Sequence, residues 1–105
     1  MPLIKFKSNV VVPKVCIIVA AVINAATELG LPDMVVTSGN DSVHAQGSKH
    51  YVDAALDIRT KHLTTEHKHA LVRVVKRRLG QDYDVLLEHE GGEQEHAHIE
   101  WDRKN

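Results

Sequence analysis

The segment VCIIVAAVINAA, residues 15–26, is apolar throughout except for Asn24, and its length decides what it can become. A helix that spans a bilayer needs about 20 consecutive apolar residues. This run stops short of that at Ala26, even with Asn24 tolerated. It therefore reads as a buried core helix over residues 13–29, alanine-rich and closed by Gly30 with Pro32 just beyond. The β-branched residues Val15, Ile17, Ile18 and Val19 oppose that helix mildly. The run also lies behind a charged, proline-containing start, unlike a signal peptide. The expectation is a protein with no encoded export signal, cytoplasmic at synthesis.

One buried helix needs partners to cover it. The 105 residues fit a single domain, residues 1–105. Hydrophobic residues make up 43% of the chain but aromatics only 4%, so the core must be mostly aliphatic. A domain this small gains usefully from a bound metal. The formal net charge of −1 gives no electrostatic footprint for nucleic acid or for an anionic membrane. The basic run Lys76-Arg77-Arg78 reads as the C-terminal turn of a helix, where cations complement the dipole. The lone Cys16 excludes an internal disulfide and a multi-cysteine metal site, and its apolar setting predicts an inert buried thiol.

Residues 1–12 alternate loosely and hold a short strand or an extended arm. Met34–Thr37 reads as a strand, followed by the Gly-, Ser- and Asn-rich loop 38–49, long enough to be functional. Ala54–Arg59 reads as a strand. Thr64 or Thr65 caps a helix to Leu79 that buries Leu71, Val72, Val74, Val75 and Leu79 and stops at Gly80. Tyr83–Glu88 and His96–Trp101 read as strands of an antiparallel hairpin with its turn at 91–95. The fold class is α+β: a small, mostly antiparallel sheet of about four strands, with two main helices on one face.

Eight histidines are many for this length. His67 and His69 fall in a charged helix start and read as solvated, and His62 and His89 have no evident partner in sequence. The informative stretches are SKHYVDAALD, residues 48–57, and EHAHIEW, residues 95–101. Alternate strand residues share a face, so His96, His98 and Glu100 project together, and Asp57 faces away from Leu56 and Ile58. His50, at the end of the loop, can approach the same groove. Two imidazoles and a carboxylate suit catalytic zinc, which keeps a fourth position for water and lowers that water's pKa towards about 7. A carboxylate that is not a ligand then takes the proton, and Glu95, three residues before His98, is the candidate. His96 can hydrogen-bond a developing oxyanion or a leaving group. Spacing alone leaves the bland alternative open, a loop histidine plus a solvated aspartate.

Residues Ser48-x-His50 through Ala55-Leu56-Asp57 resemble the S-x-H-x-x-G-x-A-x-D motif of the zinc D-Ala-D-Ala carboxypeptidase family. That family includes phage L-alanyl-D-glutamate endopeptidases and is related in structure to the hedgehog signalling domain. The stretch Glu95-His96-Ala97-His98 resembles its E/D-x-x-H signature, and Val36-Thr37-Ser38-Gly39 the strand and turn that precede the metal motif. The resemblance implies zinc held by His50, Asp57 and His98, with Glu95 as base. It implies Ser48 in substrate binding or behind the ligands, and His96 assisting the transition state. The implied substrate is a peptidoglycan stem peptide cut next to a D-amino acid, in a phage lysis enzyme released to the wall or a cytoplasmic dipeptidase. The chain departs from the pattern in three ways. Asp53 replaces the motif glycine. Asn40 and Asp41 stand where an arginine often follows Ser38-Gly39, with His44 or Lys49 as substitutes. The chain is also short for the family. A zinc-binding module without catalysis is the alternative that this missing arginine favours.

Overall fold

A computed structural model describes residues 2–7, 16–38 and 55–102. The elements are β1 (Ile4–Phe6), α1 (Cys16–Leu29), β2 (Met34–Ser38), β3 (Ala55–Arg59), α2 (Thr65–Leu79), β4 (Tyr83–Glu88) and β5 (His96–Trp101). The strands form one sheet in the order β1-β2-β3-β5-β4. Among the described residues the class is α+β with two helices and a mostly antiparallel sheet, as expected, but the sheet has five strands rather than about four and is mixed. The difference lies in β1, which pairs parallel to β2, Ile4 opposite Met34. Parallel neighbours need a long crossover connection, and α1 lies between these two strands. β2·β3, β3·β5 and β5·β4 are antiparallel. Ser38, expected in the loop, ends β2 instead, beside an irregularity in the β2·β3 register.

α1 buries Ile18, Ala21, Val22, Ala25 and Ala26, a stripe at the three- and four-residue spacing of one helix face. Small alanines let it lie close to its neighbours. Gly30 ends it at φ 67°, a left-handed conformation that suits glycine. The amide of Leu31 then donates to Ala26 O at 2.9 Å and that of Gly30 to Thr27 O at 3.3 Å, which satisfies the last carbonyls. α2 starts at Thr64, whose hydroxyl accepts from the His67 amide at 3.1 Å. It ends at Gly80, φ 88°, whose amide donates to Lys76 O. Lys76, Arg77 and Arg78 occupy its last turn, as the dipole argument expects. Arg77 and Arg78 also both reach Glu28 of α1 at 2.8 Å, so the basic run clamps the two helices together. The hydrogen bonds from Arg77 and then Arg78 lower the Glu28 carboxyl pKa.

α1 and α2 pack one core with Met34, Val36, Leu56, Ile58, Val85, Ala97 and Ile99 of the sheet. Those strand residues point to the helices, so by alternation Asp57, Arg59, His96, His98 and Glu100 lie on the opposite face. Among the described residues no helix is long and apolar enough to cross a membrane. The side chain of Cys16 and the loop after Ser38 lie outside the described residues.

Thr64→Ala removes the only side-chain acceptor seen at the start of α2 among the described residues. It is expected to cost about 1 kcal/mol, a fall in Tm of roughly 4–8 °C for a domain near this size. Thermal unfolding followed by circular dichroism measures it; an unchanged Tm would show that the cap contributes nothing.

Candidate metal centre

The site is built by strand register. On the central pair, Asp57 lies directly opposite His98, and Arg59 opposite His96. On the outer pair, Leu86 faces His98 and Glu88 faces His96. Directly opposed residues have Cβ atoms about 4.5–5.5 Å apart, so their side chains meet without any special loop geometry.

His98 Nδ1 lies 2.8 Å from Asp57 Oδ1, and its Nε2 lies 2.8 Å from Glu100 Oε1. Carboxylates only accept, so both ring nitrogens carry a proton. The Asp57 hydrogen bond does most to raise the pKa; burial opposes it, Glu100 assists, and the result is about 9. His96 is held by Gln94 O on Nδ1 at 2.7 Å and by Glu88 Oε1 on Nε2 at 2.8 Å, with Asp57 Oδ1 3.8 Å from that same Nε2. Asp57, His96 and His98 each offer a ligand atom, and all three atoms fall within 4.8 Å of one another. The donor set is two imidazoles and one carboxylate, which fits zinc in type and number. All three side chains are half-buried, screened from bulk water but reachable.

The expected metal set was His50, Asp57 and His98. The structure brings Asp57 and His98 into contact and adds His96 to them. His50 lies outside the described residues, as do Ser48, His44 and Asp53. Glu95 lines the same cleft as Asp57 and His96. Its carboxylate is engaged on both oxygens. Lys68 Nζ donates to Oε1 at 2.6 Å, Thr60 Oγ1 to Oε2 at 2.6 Å, and the Gly91 amide to Oε1 at 3.0 Å. The Lys68 and Glu95 side chains are 10% and 2% exposed, so this is a buried ion pair. Burial pushes the Glu95 pKa up, but the bonds from Lys68, Thr60 and Gly91 outweigh it and bring the group to about 2.

Lys68 and Thr60 escaped the sequence reading. Their signal was available for Lys68. It sits in phase with Leu71 and Val75 on the inner stripe of α2, where a lysine needs a partner. His69 reaches Glu90 at 2.8 Å, and His62 reaches Asp33 O at 3.1 Å, while remaining exposed. A second group of ligand-type atoms, from Asp84, Glu100 and Asp102, lies at the end of the β4·β5 pair.

Comparison with protein-family models, curated proteins and solved structures finds no match to this chain.

Proposed function

We propose that this chain is a zinc-dependent metallopeptidase acting on peptide bonds of the peptidoglycan stem. The convergence of Asp57, His96 and His98 on one point of the sheet face away from the helices carries the reading. His98 and Asp57 hold the metal. The third ligand is His50, as the resemblance implies, or His96, as the strand register allows. Zinc bound there supplies Lewis acidity and a water of lowered pKa. With His50 as the third ligand, His96 would donate to the developing oxyanion by turning its Nε2–H away from Glu88. Glu95 is the candidate base on the cleft wall. A stem peptide is the partner, met in the cytoplasm or at the wall after release during phage lysis.

One observation favours a second reading, a zinc-binding module without catalysis. A base must accept a proton, and the Glu95 carboxylate is committed to Lys68, Thr60 and the Gly91 amide, with its pKa far below neutrality.

Elemental analysis of untagged protein, followed by muropeptide digestion read by mass spectrometry, tests both. The peptidase reading expects about one zinc per chain, cleavage next to a D-residue, and a Glu95→Gln variant that keeps zinc but loses turnover. Zinc without cleavage of any muropeptide selects the module. No zinc at all removes both.

A further inference from the structure

β1 and β4 are the two edges of the sheet, and among the described residues neither has a strand on its outer side. An edge strand presents a row of N–H and C=O groups that another chain can pair with. The backbone bonds show which groups these are. The Met34 amide donates to Leu3 O at 2.8 Å and the Lys7 amide to Val36 O at 3.3 Å, so Leu3, Lys5 and Lys7 turn their peptide groups inward to β2. By alternation Ile4 and Phe6 turn theirs outward. On the other edge the Asp102 amide donates to Asp82 O at 2.7 Å, so Asp82, Asp84, Leu86 and Glu88 face β5, while Tyr83, Val85 and Leu87 turn outward. Ile4, Tyr83 and Val85 also pack on the helix side of the sheet. Lys5, Lys7, Asp84 and Leu86 alternate with them on the other side.

We infer that this chain associates head to tail with copies of itself, β1 of one copy adding antiparallel to β4 of the next with Ile4 opposite Val85. The inference is independent of the metal centre. Strand direction permits it: β1 and β2 are parallel and the next three pairings antiparallel, so β4 runs opposite to β1. A copy displaced along the sheet therefore brings its β4 antiparallel to β1 with its helices on the same side. Ile4 and Val85 both turn their peptide groups outward from the same face, as two residues that exchange both backbone bonds must. The register then follows residue by residue. Lys5 falls opposite Asp84, Lys7 opposite Asp82 and Leu3 opposite Leu86. Leu3 and Leu86 are 61% and 52% exposed, and each covers the other in the pairing. Lys5 touches Asp33 at 3.0 Å with both side chains exposed, and its ammonium has further donors for the neighbour's Asp84.

Charge selects this pairing over a two-fold dimer. β4 against a second β4 sets Glu88 opposite Asp82 when centred on Val85, and opposite Asp84 when centred on Leu86. Like charges directly opposite destabilise a strand pair. β1 against a second β1 offers lysines and no acid. Lysines on an edge ordinarily blunt self-pairing; here the acids of the other edge stand where they neutralise them. The contact is heterologous, so each added copy leaves one β1 and one β4 still exposed and growth runs past two chains. It is also small, a few residues on each side, which makes it weak and reversible.

Analytical ultracentrifugation of the full chain tests it, over about 10 µM to 1 mM because the contact is weak. The expected result is a mean mass that climbs with concentration beyond two chains and falls when salt is added, since exposed ion pairs are screened. Lys5→Glu and Asp84→Lys, each alone, should weaken the association by about tenfold or more, because each sets like charges opposite one another. The double variant Lys5→Glu/Asp84→Lys reverses both charges and should regain the association. Lys5 also holds Asp33, so Leu3→Glu, at an exposed position, breaks the contact independently of that pair. A single chain at every concentration, a mass that stops at two chains, association unchanged by all three single variants, or a double variant no better than its parents each overturns the inference.

Discussion

Lys68→Met is expected to destabilise the protein by about 3–5 kcal/mol, the usual cost of removing one partner from a buried ion pair. For a domain near this size that is a Tm lower by on the order of 15 °C or more. The reason is the burial of Glu95. Its carboxylate is 2% exposed and stays ionised because Lys68, Thr60 and the Gly91 amide all donate to it. Without the ammonium, a charged carboxylate is left in the interior or takes up a proton at a cost. These donors come from three places: the first turns of α2, the end of β3 and the turn between β4 and β5. Glu95 fastens all of them at the residue just before His96, so the pair also sets where β5 begins. The double variant Lys68→Met/Glu95→Gln should recover part of the loss, because it leaves no buried charge. If Lys68→Met melts within about 2 °C of wild type, the pair has no such weight.

The same pair predicts an acid-sensitive term. Glu95 titrates near 4.5 ordinarily and near 2 in the folded protein. A depressed folded pKa contributes stability that is present above the unfolded value and is lost as pH falls through the folded one. Wild type should therefore lose stability between about pH 5 and pH 2 more steeply than Glu95→Gln. Parallel curves over that range would remove the assignment.

How much of this was legible in the sequence differs by element. The second helix was readable because cap, stripe and stop agree: Thr64, the run Leu71 to Val75, and Gly80. The last two strands were readable because His96–Trp101 alternates and the Gly91-Gly92 pair marks the turn before it. β1 was not, because three residues carry too little pattern to reveal a parallel pairing that a distant crossover creates. At the site, alternation alone put His96, His98 and Glu100 on one face, and the pairing of Asp57 with His98 follows from a register that only the folded sheet fixes. Glu95 illustrates the other limit. Its spacing from His98 suggested a base, but its actual partners, Lys68 and Thr60, lie 27 and 35 residues away in sequence. Local pattern carries information about faces; it carries little about which buried charge a distant helix will bring.

His98→Ala is expected to abolish zinc binding, weakening it by more than about 100-fold. Losing a group that merely orients a metal ligand already costs 10–100-fold, and His98 is the residue on which the centre turns, touching both Asp57 and Glu100. Asp57→Asn should follow it, because an amide oxygen is a poorer donor to zinc than a carboxylate. Comparing His50→Ala with His96→Ala then identifies the third ligand, since only a true ligand should match the loss seen in His98→Ala. The metal-free protein adds a pH signature with the opposite sign to that of Glu95. The His98 pKa is raised from 6.5 to about 9. Its contribution to stability is complete below about 6.5 and is lost as pH rises through 9. Zinc needs the unprotonated ring, so bound zinc should replace that proton and release it to solvent. Isothermal titration with zinc in two buffers of different ionisation enthalpy counts the protons released. A value near zero at pH 7, or zinc retained by His98→Ala, would place the metal somewhere other than on this face of the sheet.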